Sequence, residues 1–238
     1  MTEPRIIPWK RIVVEAVAIV ISILLAFAID AWWDEQKERD VEHRTLQALQ
    51  RDLIASNEEL DRLLQALTDV RTNFAWFQSA TPAELTKMDP EAVRQIVVSL
   101  VTPASFEPVT ATYDSLSSDG RLGLISDFEL LTHLSNWQRA LDDLEENSVD
   151  LRAESVRVLR SMEIHGGPFI RWRRSVDDLE LLQRPNGEVL AALRQDAEFM
   201  GKARMHQYTL SGYLLELRRL DENLESTLAL LEEVIAQH

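Results

Sequence analysis

The sequence predicts an all-α fold, a single N-terminal transmembrane helix continuing into an elongated antiparallel helical bundle. Three observations predict it. Residues 12–29 form a nearly uninterrupted apolar run; three later stretches carry apolar residues at heptad spacing; and the 238 residues include only 7 Gly and 8 Pro. Glycine stands at about half its usual share, so the chain has few places to turn. No alternating run supports a sheet.

The apolar run reads IVVEAVAIVISILLAFAI, interrupted by Glu15 and Ser22 and extended by Ala31, Trp32 and Trp33. As a helix, residues 12–29 rise about 27 Å, close to a hydrocarbon core of about 30 Å. The Ile, Val, Leu and Phe residues contribute about −4 to −7 kcal/mol to insertion, against at most about +3.5 for Glu15. Insertion wins. Arg5, Lys10 and Arg11 precede the run while Asp30, Asp34 and Glu35 follow it, which sets the amino terminus in the cytoplasm. Trp9 and the Trp32-Trp33 pair have the positions of interfacial anchors. Ala26-Phe27-Ala28 has the form of a cleavage site; the reading adopted is a retained anchor. Residues 1–11 are then a short cytoplasmic segment, 12–33 the transmembrane helix and 34–238 an extracytoplasmic helical bundle.

In the exported part the first heptad stripe is Leu46, Leu49, Leu53, Ser56, Leu60, Leu63, Leu67, Val70, Phe74 and Phe77, a bundle signal. No Gly or Pro occurs between Trp9 and Pro82, so one helix is expected to continue out of the membrane and stand about 60 Å above it. Thr81-Pro82-Ala83-Glu84 reads as a capping box with a first-turn proline, and Asp89-Pro90 repeats the logic. They start a short helix and then one over Pro90–Val101. Pro103 and Pro108 bracket a loop, followed by a short helix over Ala111–Ser118.

Ser126-Asp127-Phe128-Glu129 opens the second long helix with a capping-box pattern. Its stripe is Leu130, Leu134, Trp137, Leu141, Leu144, Ser148, Leu151, Ser155, Val158 and Met162. A loop rich in Phe, Trp and Arg follows, with a short helical piece expected at 176–183. The last helix is expected from Glu188 to near the end, with Ala203, His206, Leu210, Tyr213, Leu217, Leu220, Leu224, Thr227, Leu231 and Val234 on one stripe. Each long helix must bury its stripe, so the three are expected to pack antiparallel.

Composition excludes several functions. There is no Cys, hence no disulfide, thiolate nucleophile or Cys-based metal site, and a formal charge of −15 repels nucleic acid. His43, His133, His165, His206 and His238 show no metal-ligand spacing, and His206, on an apolar stripe, reads as a hydrogen-bonded core residue. No phosphate-binding glycine loop or nucleophile elbow is present. Neither enzyme activity nor a cofactor is expected.

Two groups remain as candidate sites. Glu15, an ionisable group inside the apolar run, shares a helical face with Ala18, Ser22, Ala26 and Asp30, a stripe that lets helices approach closely. It either bonds a neighbouring copy, faces an aqueous passage, or reaches the headgroups beside Arg11. Phe169-Ile170-Arg171-Trp172-Arg173-Arg174 joins aromatics to cations. If the second long helix returns toward the membrane, Phe169, Arg171, Trp172, Arg173 and Arg174 can meet anionic headgroups or a partner; otherwise the arginines pair with neighbouring acids.

The segment IVISILLAFAIDAWWD at 19–34, the later Leu53 and Asn57-Glu58-Glu59-Leu60, and the block Tyr113-Asp114-Ser115-Leu116-Ser117-Ser118-Asp119-Gly120-Arg121-Leu122-Gly123-Leu124-Ile125 together resemble an uncharacterised family of small bacterial single-pass membrane proteins. The resemblance covers about the first 140 residues and departs at Asp30 and Trp32, where an Asn is typical. It implies an anchored helical protein and no particular activity. The expectation is a self-associating scaffold or accessory subunit in the bacterial inner membrane, its C-terminal domain periplasmic, its partners the bilayer, further copies and other membrane proteins. The alternatives are a small cation channel lined by Glu15, Ser22 and Asp30, or a ligand-sensing helical domain around Phe106–Leu124 that acts through a partner.

Overall fold

In the computed structural model, one unbroken helix, α1, runs from Trp9 to Ser79 over 71 residues, about 106 Å at 1.5 Å per residue. The structure describes residues 9–162, 164, 170–172, 179–181 and 186–237, with the side chains of 9–16, 18, 170–172 and 179–181 left aside. The remaining elements are α2 (Pro82–Leu85), α3 (Pro90–Val101), α4 (Ala111–Ser118), a 3-10 turn (Leu122–Leu124), α5 (Phe128–Met162), the strands β1 (Ile170–Trp172) and β2 (Leu179–Leu181), α6 (Gly187–Gln195) and α7 (Ala197–Gln237).

The all-α reading holds for the body of the chain, and all three heptad stripes lie in its core. On α1 only Leu63 is half-buried; the α5 and α7 stripes are buried throughout, with Trp137 at 1% exposure. The Thr81 capping box forms as expected: the Glu84 N–H donates to Thr81 Oγ1, and the Thr81 N–H donates to Glu84 Oε2 at 2.7 Å.

Four details differ from expectation. α5 is capped by Asp127 rather than by a Ser126 box, with the Leu130 N–H donating to Asp127 Oδ1 at 2.8 Å. The last helix is broken at Asp196, whose Oδ1 accepts from the N–H groups of Glu198 and Phe199 at 2.8 and 3.1 Å. A carboxylate serving two otherwise orphaned amides starts a new helix as effectively as a glycine ends one. Residues 179–181, expected to be helical, form β2 and pair antiparallel with β1 in the register Ile170 with Leu181, Arg171 with Glu180 and Trp172 with Leu179. The rest of the expected 176–183 helix lies outside the described residues.

The fourth difference is topological. The Ser126 N–H donates to Glu42 Oε1 at 2.6 Å, which puts the start of α5 beside the near part of α1. Its end, Val158 and Met162, packs with Phe74, Phe77 and Val93 at the far end of α1. So α5 runs parallel to α1 and not against it. Helix α7 runs antiparallel to both and packs between them, pinned by Ser155 against His206 and by Asn147 Nδ2 donating to Glu216 Oε2 at 2.6 Å.

The descending limb between α1 and α5 is α3, an extended strap over 102–110, and α4. The chain is therefore an up-down-up-down bundle of four limbs, one of them only partly helical. Its core forms two clusters, a long one from Leu46 to Val70 and a far one around Phe77, Leu100, Met162 and Phe199.

Among the described residues no helix is long and apolar enough to cross a membrane. The span expected at 12–33 is not supported by them. Their uncharged stretch at 19–29 gives about 16 Å of helix, half a hydrocarbon core, before Asp30, Asp34 and Glu35.

Candidate functional site

The amino-terminal part of α1 stands clear of the bundle. The first buried side chains on α1 are Glu42 and Leu46, whereas Val17, Ile19, Val20, Ile21, Ile23, Leu24, Leu25, Phe27 and Ile29 are all about half exposed or more. Trp32 and Trp33 continue the patch, their rings 5.6 Å apart. A contiguous apolar surface of this kind marks contact with lipid or protein. The unbroken helix keeps Ser22, Ala26 and Asp30 at four-residue spacing on one face, all exposed; Glu15 and Ala18 share that register on the backbone, and their side chains lie outside the description.

The aromatic and basic cluster sits elsewhere. Phe169, Arg173 and Arg174 lie outside the described residues, while Arg171 and Trp172 belong to β1. Met162, before the hairpin, is in the far core cluster, and Gly187, after it, abuts the Leu85 backbone. Eight residues of chain reach at most about 28 Å from Met162, whereas Trp33 and Phe77 are about 66 Å apart along α1. Arg171 and Trp172, in β1, therefore follow the end of α5 that packs against the far part of α1.

His206 is fully buried, as its stripe position requires. Its Nε2 lies 2.9 Å from Ser155 Oγ and 3.2 Å from the Thr102 carbonyl, and Gln207 Nε2 approaches Nδ1 at 3.5 Å. Ser155 Oγ donates to the Leu151 carbonyl at 2.9 Å, so a proton on Nε2 satisfies the remaining acceptors. Burial pulls the imidazole down to about 4, opposed by its bond to Thr102. Burial favours the neutral ring, and with the proton on Nε2 the imidazole donates toward Thr102 and Ser155. A serine beside a histidine here ties helices together instead of forming a nucleophile.

The strap over 102–110 is the element sequence reasoning passed over as a loop. The Val109 N–H donates to Ser56 Oγ at 2.9 Å, the Thr112 N–H to Asp52 Oδ2 at 2.8 Å, and the Thr102 carbonyl meets Ser155 and His206. Where a fourth helix would fill the limb, an extended chain leaves a groove on each side. One, of about 670 Å³, lies between α1 and α3, with Arg62, Asn73 and Arg94 on its walls. The other, of about 380 Å³, lies toward α5 and α7, lined by Phe106, Gln138, Asp142, Glu145, Arg152 and Tyr213. Ser105 and Glu107 edge both.

The smaller groove holds two buried polar atoms without a partner, Tyr213 Oη and Gln138 Oε1. Burial pushes the Tyr213 hydroxyl up, and the Glu216 charge adds to that; the Phe106 backbone lies beside the hydroxyl and works the other way. Gln138 spends its amide donor on Asp142 Oδ1 at 3.1 Å, which leaves its oxygen unused. No group of acidic or imidazole side chains that could hold a metal occurs among the described residues.

Fold and site together define an all-helical four-limb bundle with a protruding apolar helix. No protein family, no curated protein and no solved structure matches the chain. The family resemblance therefore rests on its own residues at 19–34, 53–60 and 113–125.

Proposed function

We propose that the protein is a membrane-anchored, self-associating helical scaffold or accessory subunit without catalytic activity, held in a bacterial inner membrane with its bundle on the periplasmic side. The observation that carries this reading is the exposed apolar length of α1 at 17–33, which no part of the bundle covers. Joined to residues 12–16, its part as far as Ile29 offers the bilayer about 27 Å of helix. Glu15, Ala18, Ser22, Ala26 and Asp30 are the face through which copies associate in the bilayer. Carbonate extraction of membranes from cells expressing the full chain tests the anchor: retention in the pellet is expected, and release into the supernatant overturns it.

A second reading is favoured by the smaller groove. A cavity lined by the Tyr213 phenol and by the unspent amide oxygen of Gln138 suits a small polar ligand. In that reading the bundle senses a ligand and passes the signal to a partner protein. Thermal shift of the full chain against a panel of small polar solutes, compared with a Tyr213→Phe/Gln138→Leu variant, separates it from a purely structural role.

A further inference from the structure

The outward face of α7 carries a stripe the bundle does not use. Met205, Tyr208 and Leu215 are 53, 78 and 52% exposed, and Gly201 and Gly212 lie on the same face with open space where a side chain would be. The spacing, four, three, four and three, is that of a helix–helix seam. Glycine is the poorest helix former after proline, and nothing among the described residues requires it at these two exposed positions.

The order of sizes is small, large, large, small, large. Turned end for end about a point near Tyr208, the stripe matches itself: Leu215 faces Gly201, Met205 faces Gly212, and Tyr208 meets its own copy. A two-fold contact requires this reciprocity. In the same register Glu198 faces Arg219, opposite charges flanking the seam; a parallel alignment instead sets Glu198 on Glu198, Arg219 on Arg219 and glycine on glycine.

We propose that α7 is a self-recognition surface on which a second copy of this chain docks antiparallel through Gly201, Met205, Tyr208, Gly212 and Leu215. One helix seam of this length buries less than the roughly 1,200 Å² of a standard interface, so the pairing is weak and acts where copies are concentrated. The Trp9 ends of the paired copies point in opposite directions, so the same two copies cannot at once pair through α7 and lie side by side in one bilayer. It does not depend on the anchor.

The chain has no cysteine, so the test is clean. Full-length Gly201→Cys and Leu215→Cys proteins in mild detergent are oxidised singly and mixed. The mixture is expected to give a disulfide-linked dimer at least fivefold more abundant than either protein alone. Glu198→Arg in both should reduce that yield, and adding Arg219→Glu should restore it. No dimer in the mixture, or Gly201→Cys linking to itself as readily, overturns the proposal. Helicity measured on each variant shows that the exposed changes leave the fold intact.

Discussion

Ser56 receives the Val109 N–H on its side-chain oxygen at 2.9 Å while donating to the Asp52 carbonyl of its own helix. A residue that sequence periodicity places as a small spacer on an apolar seam is thus the pin for one end of the strap over 102–110. Ser155 pins the other end at Thr102.

The first prediction concerns that pin. Ser56→Ala leaves the Val109 amide without its acceptor; Val109 is 40% exposed, so water replaces part of the bond and the cost is that of an ordinary hydrogen bond, about 0.5–1.5 kcal/mol. Urea unfolding of the full chain in detergent should show the midpoint shifted down with an unchanged slope. Ser56→Leu should cost more, since the larger side chain must displace the strap. An unchanged midpoint in both variants would mean that the strap contributes nothing to the fold.

The second prediction follows from His206. Its folded value, about 4, lies below the ordinary 6.5 because burial disfavours the charged ring. Between those values the unfolded chain takes up a proton that the folded chain refuses, so stability falls as pH drops through this window and is fully present above it. The ring alone accounts for about 3 kcal/mol over that range. Urea midpoints at pH 4.5 and 7.5 should differ more in the natural chain than in a His206→Gln variant. Equal differences would remove the histidine from the explanation.

Glycine context supplies the third prediction. A side chain on Gly187 would meet the Leu85 carbonyl oxygen at 2.0 Å and the Thr86 Cα at 2.8 Å. Both are backbone atoms, which cannot step aside, so Gly187→Ala must prise α6 from α2 and should lower stability by at least about 2 kcal/mol. Gly201→Ala and Gly212→Ala meet nothing and should each raise helix stability by about 1 kcal/mol. Thermal unfolding of the three variants checks the contrast.

What the sequence made legible was periodic. Leu46 to Phe77, Leu130 to Met162 and Ala203 to Val234 repeat at heptad spacing because each helix buries one face, and that period survives without knowledge of the partner. Helix direction leaves no such mark: the Leu134 and Leu141 stripe is the same whether α5 runs with α1 or against it, and long-range bonds such as Glu42 to Ser126 decide. The break at Asp196 was hidden because neither Gly nor Pro marks it, although Asp196-Ala197-Glu198 has the form of a helix start. The strap has no period at all. Its place in the bundle follows from Ser56 and Ser155, which looked like spacers because nothing local shows that a backbone amide or carbonyl 53 residues away will meet them.

The last prediction tests the smaller groove through Tyr213. Its buried hydroxyl has at most the Phe106 backbone beside it, outside ordinary hydrogen-bond geometry, so deleting it removes a group that gains little from folding and loses its water. Tyr213→Phe should therefore change stability by no more than about 0.5 kcal/mol, or raise it, whereas a hydrogen-bonded buried tyrosine would lose about 1 kcal/mol or more. The same burial should keep the phenol unionised well above the ordinary value of 10. In an alkaline absorbance titration of the folded chain, Tyr213 should ionise only as the bundle opens. A Tyr213 that titrates at the ordinary value of 10 while the bundle is still folded would mean that water already fills the groove around it. Its hydroxyl would then not be waiting for a ligand, and the sensing reading would lose its support.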